Sequence, residues 1–220
     1  MELTLQRVIT YLIPYLLGGI GVTLSVSFWA LLLGALGGLL LAFLRVYGGR
    51  FCKVIMVAFS AVFRAIPQTI LLLLLYFVIA GSINISAYWA GTLSLAMISC
   101  VYQQEIFRSA IESLDSGQMM AARALGMSQT KAIFAIILPQ ALRRALPSWT
   151  NEVAGVIKAS SLVYIIGVVE IMRLAQYEIA RSREPFAVYL AVALIYFVCT
   201  YAICFILRKV EKRLAIPDIS

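Results

Sequence analysis

A chain of 220 residues that is 63% hydrophobic and 13% charged, with mean hydropathy +0.97, falls outside the composition of a soluble globular domain. Its net charge of +8 lacks the clustered, soluble basic face that nucleic-acid binding requires, so the excess reads as membrane topology and attraction to lipid headgroups. With His 0 in the composition, histidine-based nucleophilic or metal catalysis is excluded, and neither a catalytic residue nor a metal ligand is expected.

Residues 8–44, 65–104 and 186–207 contain no charged side chain, and each run equals or exceeds the roughly 20 residues needed to cross a hydrocarbon core. The alternating segments of about 10 residues that a membrane barrel needs are absent, which leaves helices to satisfy the backbone in lipid. The Met1-Glu2 start lacks the basic n-region of a signal peptide, and the apolar run after it is longer than a signal h-region, so the first span is expected to be retained. Turn chemistry at Gly81-Ser-Ile-Asn-Ile-Ser86 divides the second run into a helical hairpin. The expectation is one all-α integral membrane domain over 1–220. Its five spans fall near 12–44, 53–80, 88–110, 148–171 and 186–207, with a polar loop at about 111–147.

Lysine and arginine placement orients the spans. Arg45, Arg50 and Lys53 follow the first; Arg108, Arg123, Lys131, Arg143 and Arg144 surround the long loop; Arg208, Lys209, Lys212 and Arg213 follow the last. These segments are cytoplasmic by the positive-inside rule, which puts the N-terminus outside and the C-terminus in the cytoplasm of a multi-pass cell-membrane protein. Cys52, Cys100, Cys199 and Cys204 have neither CxxC spacing nor histidine partners and read as core filler.

The stretch from Glu105 to Ser148 is the one sizeable non-spanning segment. Asp115 or Ser116 is placed to cap a helix over Gln118 to Leu125, Gly126 suits a left-handed stop, and Ser128 caps a second helix ending near Pro139. The first of these presents Met119, Met120, Ala121, Ala122 and Leu125, small or flexible side chains that fit a groove, with Gln118 and Arg123 as polar anchors. On shape alone the pair is either a docking element or an amphipath lying on lipid.

Spacing separates the two. Ala121-Ala122, then Gly126, then Ile136 and Leu138-Pro139 resemble the EAA loop of binding-protein-dependent ABC importer permeases. Tyr102-Gln-Gln-Glu-Ile-Phe-Arg108, Phe63-Arg64-Ala-Ile-Pro67 and the segment from Leu146-Pro147 to Ile166-Gly167 resemble the polar amino-acid branch of that family, so the likeness covers essentially the whole chain. The resemblance implies a type I importer permease with a cytoplasmic coupling loop. It implies pairing with a second permease subunit, identical or paralogous, and substrate delivery by an extracytoplasmic binding protein. A dimer of cytosolic ABC ATPases would receive Met120, Ala121, Ala122, Arg123, Gly126 and Met127. No lysine follows a glycine, so there is no Walker A sequence; ATP and Mg are expected in the partner subunit and no cofactor in this chain.

Departures from the family pattern accompany the match. Met120 stands where the family has the Glu of Glu-Ala-Ala, which points to a matched ATPase or to a heterodimer whose other permease keeps the Glu. Ala65-Ile66 replace Gly-Thr, and Ala159 replaces an Asp; the second change removes a negative group and favours neutral or acidic polar amino acids over cationic ones.

Glu152 and Lys158 flank Gly155 in the fourth span, and ionisable groups at membrane depth face a cavity or a partner. Six residues place them about 9 Å apart along a helix axis and displaced around it, which disfavours a direct ion pair. In one reading Glu152 receives an amino acid's ammonium and Lys158 or Arg64 its carboxylate, while Asn151, Ser160 and Ser161 add hydrogen bonds; in the other, Lys158 snorkels and both charges serve the dimer. Pro67 either kinks the second span or makes it discontinuous, Arg64 either lines a cavity or snorkels, and Gln68 and Thr69, one turn deeper, are polar positions placed to face a substrate path, Gln68 being counted with the binding residues. Gly34 and Gly38 form a small-xxx-small pattern for close helix packing. Tyr88-Trp89, Trp149 and Tyr196 to Tyr201 read as interface anchors or packing. An ATP-independent secondary transporter is the alternative function, but the sequence shows no internal repeat of the kind such transporters carry.

Overall fold

A computed structural model describes residues 5–82 and 84–214 of the chain. The Met1-Glu2 start and Ile83 of the predicted turn lie outside the described residues. The elements are helical throughout: α1 (Leu5–Arg7), a π-helical turn (Val8–Leu12), α2 (Ile13–Leu17), α3 (Ile20–Tyr47), α4 (Arg50–Ala65), α5 (Gln68–Ser82), α6 (Ala87–Glu112) and α7 (Ser116–Ala124). They continue with α8 (Gln129–Ala132), a π-helical turn (Ile133–Ile137), α9 (Leu138–Ala159), a 3-10 turn (Ser160–Ile166), α10 (Ile171–Ser182) and α11 (Pro185–Leu214).

Among the described residues two helical stretches are long and apolar enough to cross a membrane unbroken, Val8–Tyr47 and Pro185–Leu214. Two more helix pairs pass the same test as bent units: Arg50–Ala65 with Gln68–Ser82, bent by 111°, and Gln129–Ile166 with Ile171–Ser182, bent by 53°. The first bend lies at Ile66-Pro67. Ile66 adopts an extended backbone (φ −91°, ψ 134°), as the residue before a proline prefers, so of the two readings of Pro67 the span at 53–80 takes the discontinuous one and is two helices.

The centre of the bundle is the seam between α3 and α6. A Cβ added at Gly38 would lie 2.9 Å from the Cys100 carbonyl oxygen and from the Gln104 nitrogen, and one added at Gly34 would lie 3.2 Å from the Ala96 carbonyl oxygen. The small-xxx-small pattern thus lets two backbones touch, which in lipid replaces the hydrophobic force as the source of helix association. Val26, Ala30, Leu72, Leu95, Val153, Ile157 and Val163 fill the interior where α3, α5, α6 and α9 meet. A second apolar cluster, including Leu12, Leu16, Ile171, Ala175, Val188 and Ile195, joins the N-terminal helices to α10 and α11. Outward faces remain apolar, with Phe197, Val198, Tyr201 and Ile206 exposed on α11, as expected where the solvent is hydrocarbon.

The polar loop differs from expectation at its far end. The second loop helix does not stop near Pro139: α8 passes through the π-helical turn into α9, and Pro139 occupies the first turn of that helix. A proline is favoured there because its missing N–H has no helical partner to lose. Consequently α9 begins about ten residues before the expected fourth span, and the regular helix ends at Ala159 rather than 171. Gly167 then turns the chain with φ 92°, and α10, absent from the sequence reading, fills part of the segment between the last two spans. Its N-cap is Glu170, fully buried, whose carboxylate accepts from the backbone nitrogens of Met172 (2.8 Å) and Arg173 (2.9 Å) and from the Tyr196 hydroxyl (2.9 Å).

Candidate functional site

Two sets of residues stand apart from apolar packing: the exposed loop at one end of α6 and α9, and a polar interior along the middle of α9. In the loop, the Asp115 carboxylate accepts from the Gly117 nitrogen (2.7 Å) and Ser128 Oγ from the Lys131 nitrogen (3.3 Å), so α7 and α8 start at the caps the sequence offers. Gly126 has φ 79° and open space where a Cβ would stand, which makes its requirement one of backbone conformation. Ala122 is buried, while Ala121 and Arg123 are exposed, Met127 is half-buried, and Met120 and Leu125 stand 66% and 82% exposed. Arg144 Nη1 on α9 donates to the Ser113 carbonyl at the end of α6 (2.7 Å) and Gln140 Nε2 on α9 to Gln118 Oε1 on α7 (3.4 Å), while Arg123 Nη1 donates to the Met127 carbonyl within the turn (3.1 Å).

Beside α6 and α9, an open cleft of about 350 Å³ is lined by Arg64, Tyr102, Glu105, Ser148, Asn151 and Glu152, among others, with Arg64 and Asn151 exposed. A small void of about 30 Å³ continues from it past Gln68, Ser99, Glu152 and Ala159. Glu105 is already neutralised. Its carboxylate accepts from Arg45 Nη1 (2.6 Å) and from Arg108, which also pairs with Glu112. Arg64 lies 6.0 Å from the Tyr102 ring centroid, and Ser99 Oγ donates to Glu152 Oε1 (2.7 Å). Among the described residues neither Arg64 nor Glu152 makes an ion pair, so one positive and one negative group face the same space uncompensated.

Lys158 is elsewhere. It lines a separate cavity of about 430 Å³ between α9 and α11, with Ala154, Tyr196, Thr200, Tyr201 and Arg208, and Asn151 borders both large cavities. Ser160 Oγ donates to the Ile157 carbonyl (2.7 Å) and Ser161 Oγ to that of Lys158 (2.7 Å). Both serines therefore serve their own helix end, and neither lines these cavities. Of the expected binding set, Arg64, Gln68, Asn151 and Glu152 come together, while Lys158, Ser160 and Ser161 do not join them. Ser99, which lines the small void and is hydrogen-bonded by Gln103, was not among the expected residues. Trp149 points inward, donating from Nε1 to Gln103 Oε1 (2.8 Å), and does not anchor an interface.

A helical bundle whose broken spans enclose charged cavities, with a capped two-helix loop projecting from one end, is the architecture of the membrane-embedded part of a transport system. Residues 30–216 match the family described as binding-protein-dependent transport system inner membrane component, and the chain belongs to that family. It is 35% identical over 207 residues to the glutamine transport system permease protein GlnP of Escherichia coli (strain K12), a match covering 93% of this chain and 94% of the relative. It is also 35% identical over 204 residues to the probable amino-acid ABC transporter permease protein PatM of Vibrio harveyi, covering 91% of this chain and 90% of that one. In three dimensions it resembles an amino acid ABC transporter crystallised with histidines, at TM-score 0.84 and 33% identity over 97% of this chain and 100% of that one. It shares its fold, at TM-score 0.79 and 19% identity, with the inward-facing MetNI methionine ABC transporter, covering 92% of this chain and 97% of that one.

Proposed function

We propose that this chain is the permease subunit of an importer that carries a polar amino acid into the cell by alternating access. The five spans of one domain cross the cell (inner) membrane, with the N-terminus outside and the C-terminus and the 111–147 loop in the cytoplasm. It works with a second permease subunit, an extracytoplasmic binding protein and a cytosolic ABC ATPase dimer that holds ATP and Mg; this chain itself carries no cofactor. Met120, Ala121, Ala122, Arg123, Gly126 and Met127 form the face that meets the ATPase, with Met120 offering an apolar contact where the family has a carboxylate.

The observation that carries the substrate side is the shared cavity of Arg64 and Glu152. A zwitterion brings one ammonium and one carboxylate to two uncompensated charges of opposite sign, so both are matched on binding and neither stays unpaired at membrane depth. Glu152 takes the ammonium and Arg64 the carboxylate, while Asn151 and Gln68 contact the rest. Lys158 and the two serines are outside this assignment. With Glu105 held by two arginines, no further negative group is free for a cationic side chain, which favours neutral or acidic polar substrates. Glutamine, which the names of several relatives specify, meets that description.

In reconstituted complexes Glu152→Gln raises the substrate KM of transport-coupled ATP hydrolysis. An unchanged KM removes Glu152 from the binding site.

A further inference from the structure

Gln103 is fully buried where α3, α6 and α9 meet, and its amide is committed at both ends. The Trp149 indole N–H can only donate, so the atom it reaches, 2.8 Å away, must be the amide oxygen Oε1. The amide nitrogen then faces the Leu31 carbonyl (3.1 Å), which can only accept, and Ser99 Oγ (2.9 Å). Because Ser99 accepts from Gln103, its own proton is free for Glu152 Oε1 at 2.7 Å. The chain of bonds has one polarity, running from an indole that fixes an amide to a hydroxyl that donates to a carboxylate. Gly34 makes room for it, since a Cβ there would come within 2.8 Å of Gln103 Nε2.

We propose that Gln103, oriented by Trp149, is a positioning residue that makes Ser99 a donor and thereby holds Glu152 in place to accept the ammonium of an amino-acid substrate. Polarity is what a merely space-filling residue would not provide. If the amide turned over, its oxygen would face Ser99, the serine proton would go to Gln103, and the Glu152 carboxylate would lose its one hydrogen-bond donor among the described residues. Ser99 and Gln103 lie on α6 and Glu152 on α9, so the network also sets where the carboxylate sits across the helix interface. This inference rests on the assignment of Glu152 to the substrate ammonium.

The test is a double-mutant cycle on the whole transporter, reconstituted with its ATPase and binding protein and assayed with L-glutamine. Trp149→Phe removes the donor to the amide oxygen while keeping an aromatic ring, which leaves the Leu31 carbonyl as the remaining group that orients the amide; Gln103→Leu removes the amide itself. Each is expected to raise the substrate KM about tenfold, the scale of one hydrogen bond to a charged group. In a Glu152→Gln background the same substitutions are expected to change KM less than twofold, since the carboxylate they act through is gone. If they raise KM equally in both backgrounds, or Trp149→Phe leaves it unchanged in the otherwise native protein, the positioning role is wrong. If Glu152→Gln alone leaves KM unchanged, the substrate assignment beneath it fails, a result separate from either of those.

Discussion

Glu105 and Arg45 meet at 2.6 Å across one end of the α3 and α6 seam, and Arg108 closes on the same carboxylate from one turn further along α6. One carboxylate thereby compensates two guanidinium groups beside the cavity. Replacing it leaves both cations without that partner in a partly buried position. Glu105→Ala is expected to cost about 1 to 3 kcal/mol, less than a fully buried pair because the three side chains retain 16% to 26% of their exposure. Thermal unfolding in detergent measures it, and Arg45→Ala, which leaves Arg108 in place, is expected to cost less.

The α3 and α6 seam makes a sharper demand. Gly38→Ala places a methyl group 2.9 Å from backbone atoms of Cys100 and Gln104, which cannot swing aside as a flexible side chain would. The helices must separate, and overpacking of this kind costs about 1 to 3 kcal/mol. A lowered Tm for Gly38→Ala checks this, with Gly21→Ala, which meets nothing within 4 Å, as the neutral comparison.

Gly126 makes the opposite demand. Space around it is open, so a substitution there strains the backbone without a clash. Gly126→Val forces a β-branched residue to φ 79° at a local cost of about 1 to 2 kcal/mol, and the turn between α7 and α8 is expected to yield before the bundle does. Co-purification with the partner ATPase is expected to fall while membrane insertion and Tm of the isolated permease stay near their original values.

Glu170 caps α10 from inside the protein. Glu170→Ala leaves the Met172 and Arg173 backbone donors unpaired and removes the carboxylate that the Tyr196 and Thr23 hydroxyls donate to. A loss of about 2 to 4 kcal/mol is expected, read as a large drop in Tm, with Glu170→Gln retaining part of the stability because its amide oxygen still accepts.

The parts of this molecule that were legible in its sequence are those that local chemistry decides. Asp115, Ser128 and Gly126 mark helix ends by what their own atoms do to nearby backbone, and Gly34 and Gly38 announce close packing by lacking a side chain. Pro139 was misplaced because a proline suits both the end of one helix and the first turn of the next, and only the path of the chain distinguishes them. Helix α10 went unseen because the fourth span was expected to run to 171, across Glu170, and this carboxylate shows itself as a cap only when Thr23, Tyr196 and the backbone close around it. Glu152 and Lys158 looked like two ends of one site because helical rise was considered without the neighbours: the first faces α6 and the second α11. Gln103 and Trp149 lie 46 positions apart, and nothing in either segment reveals that they share a hydrogen bond.

This chain is expected to move an amino acid only as part of an ATP-driven assembly. Uptake of L-glutamine by proteoliposomes containing the permease, its partner ATPase and the binding protein measures it most directly. Saturable uptake is expected to require both the ATPase and hydrolysable ATP; comparable uptake by the permease alone, without ATP, would show that transport through this chain is not ATP-driven.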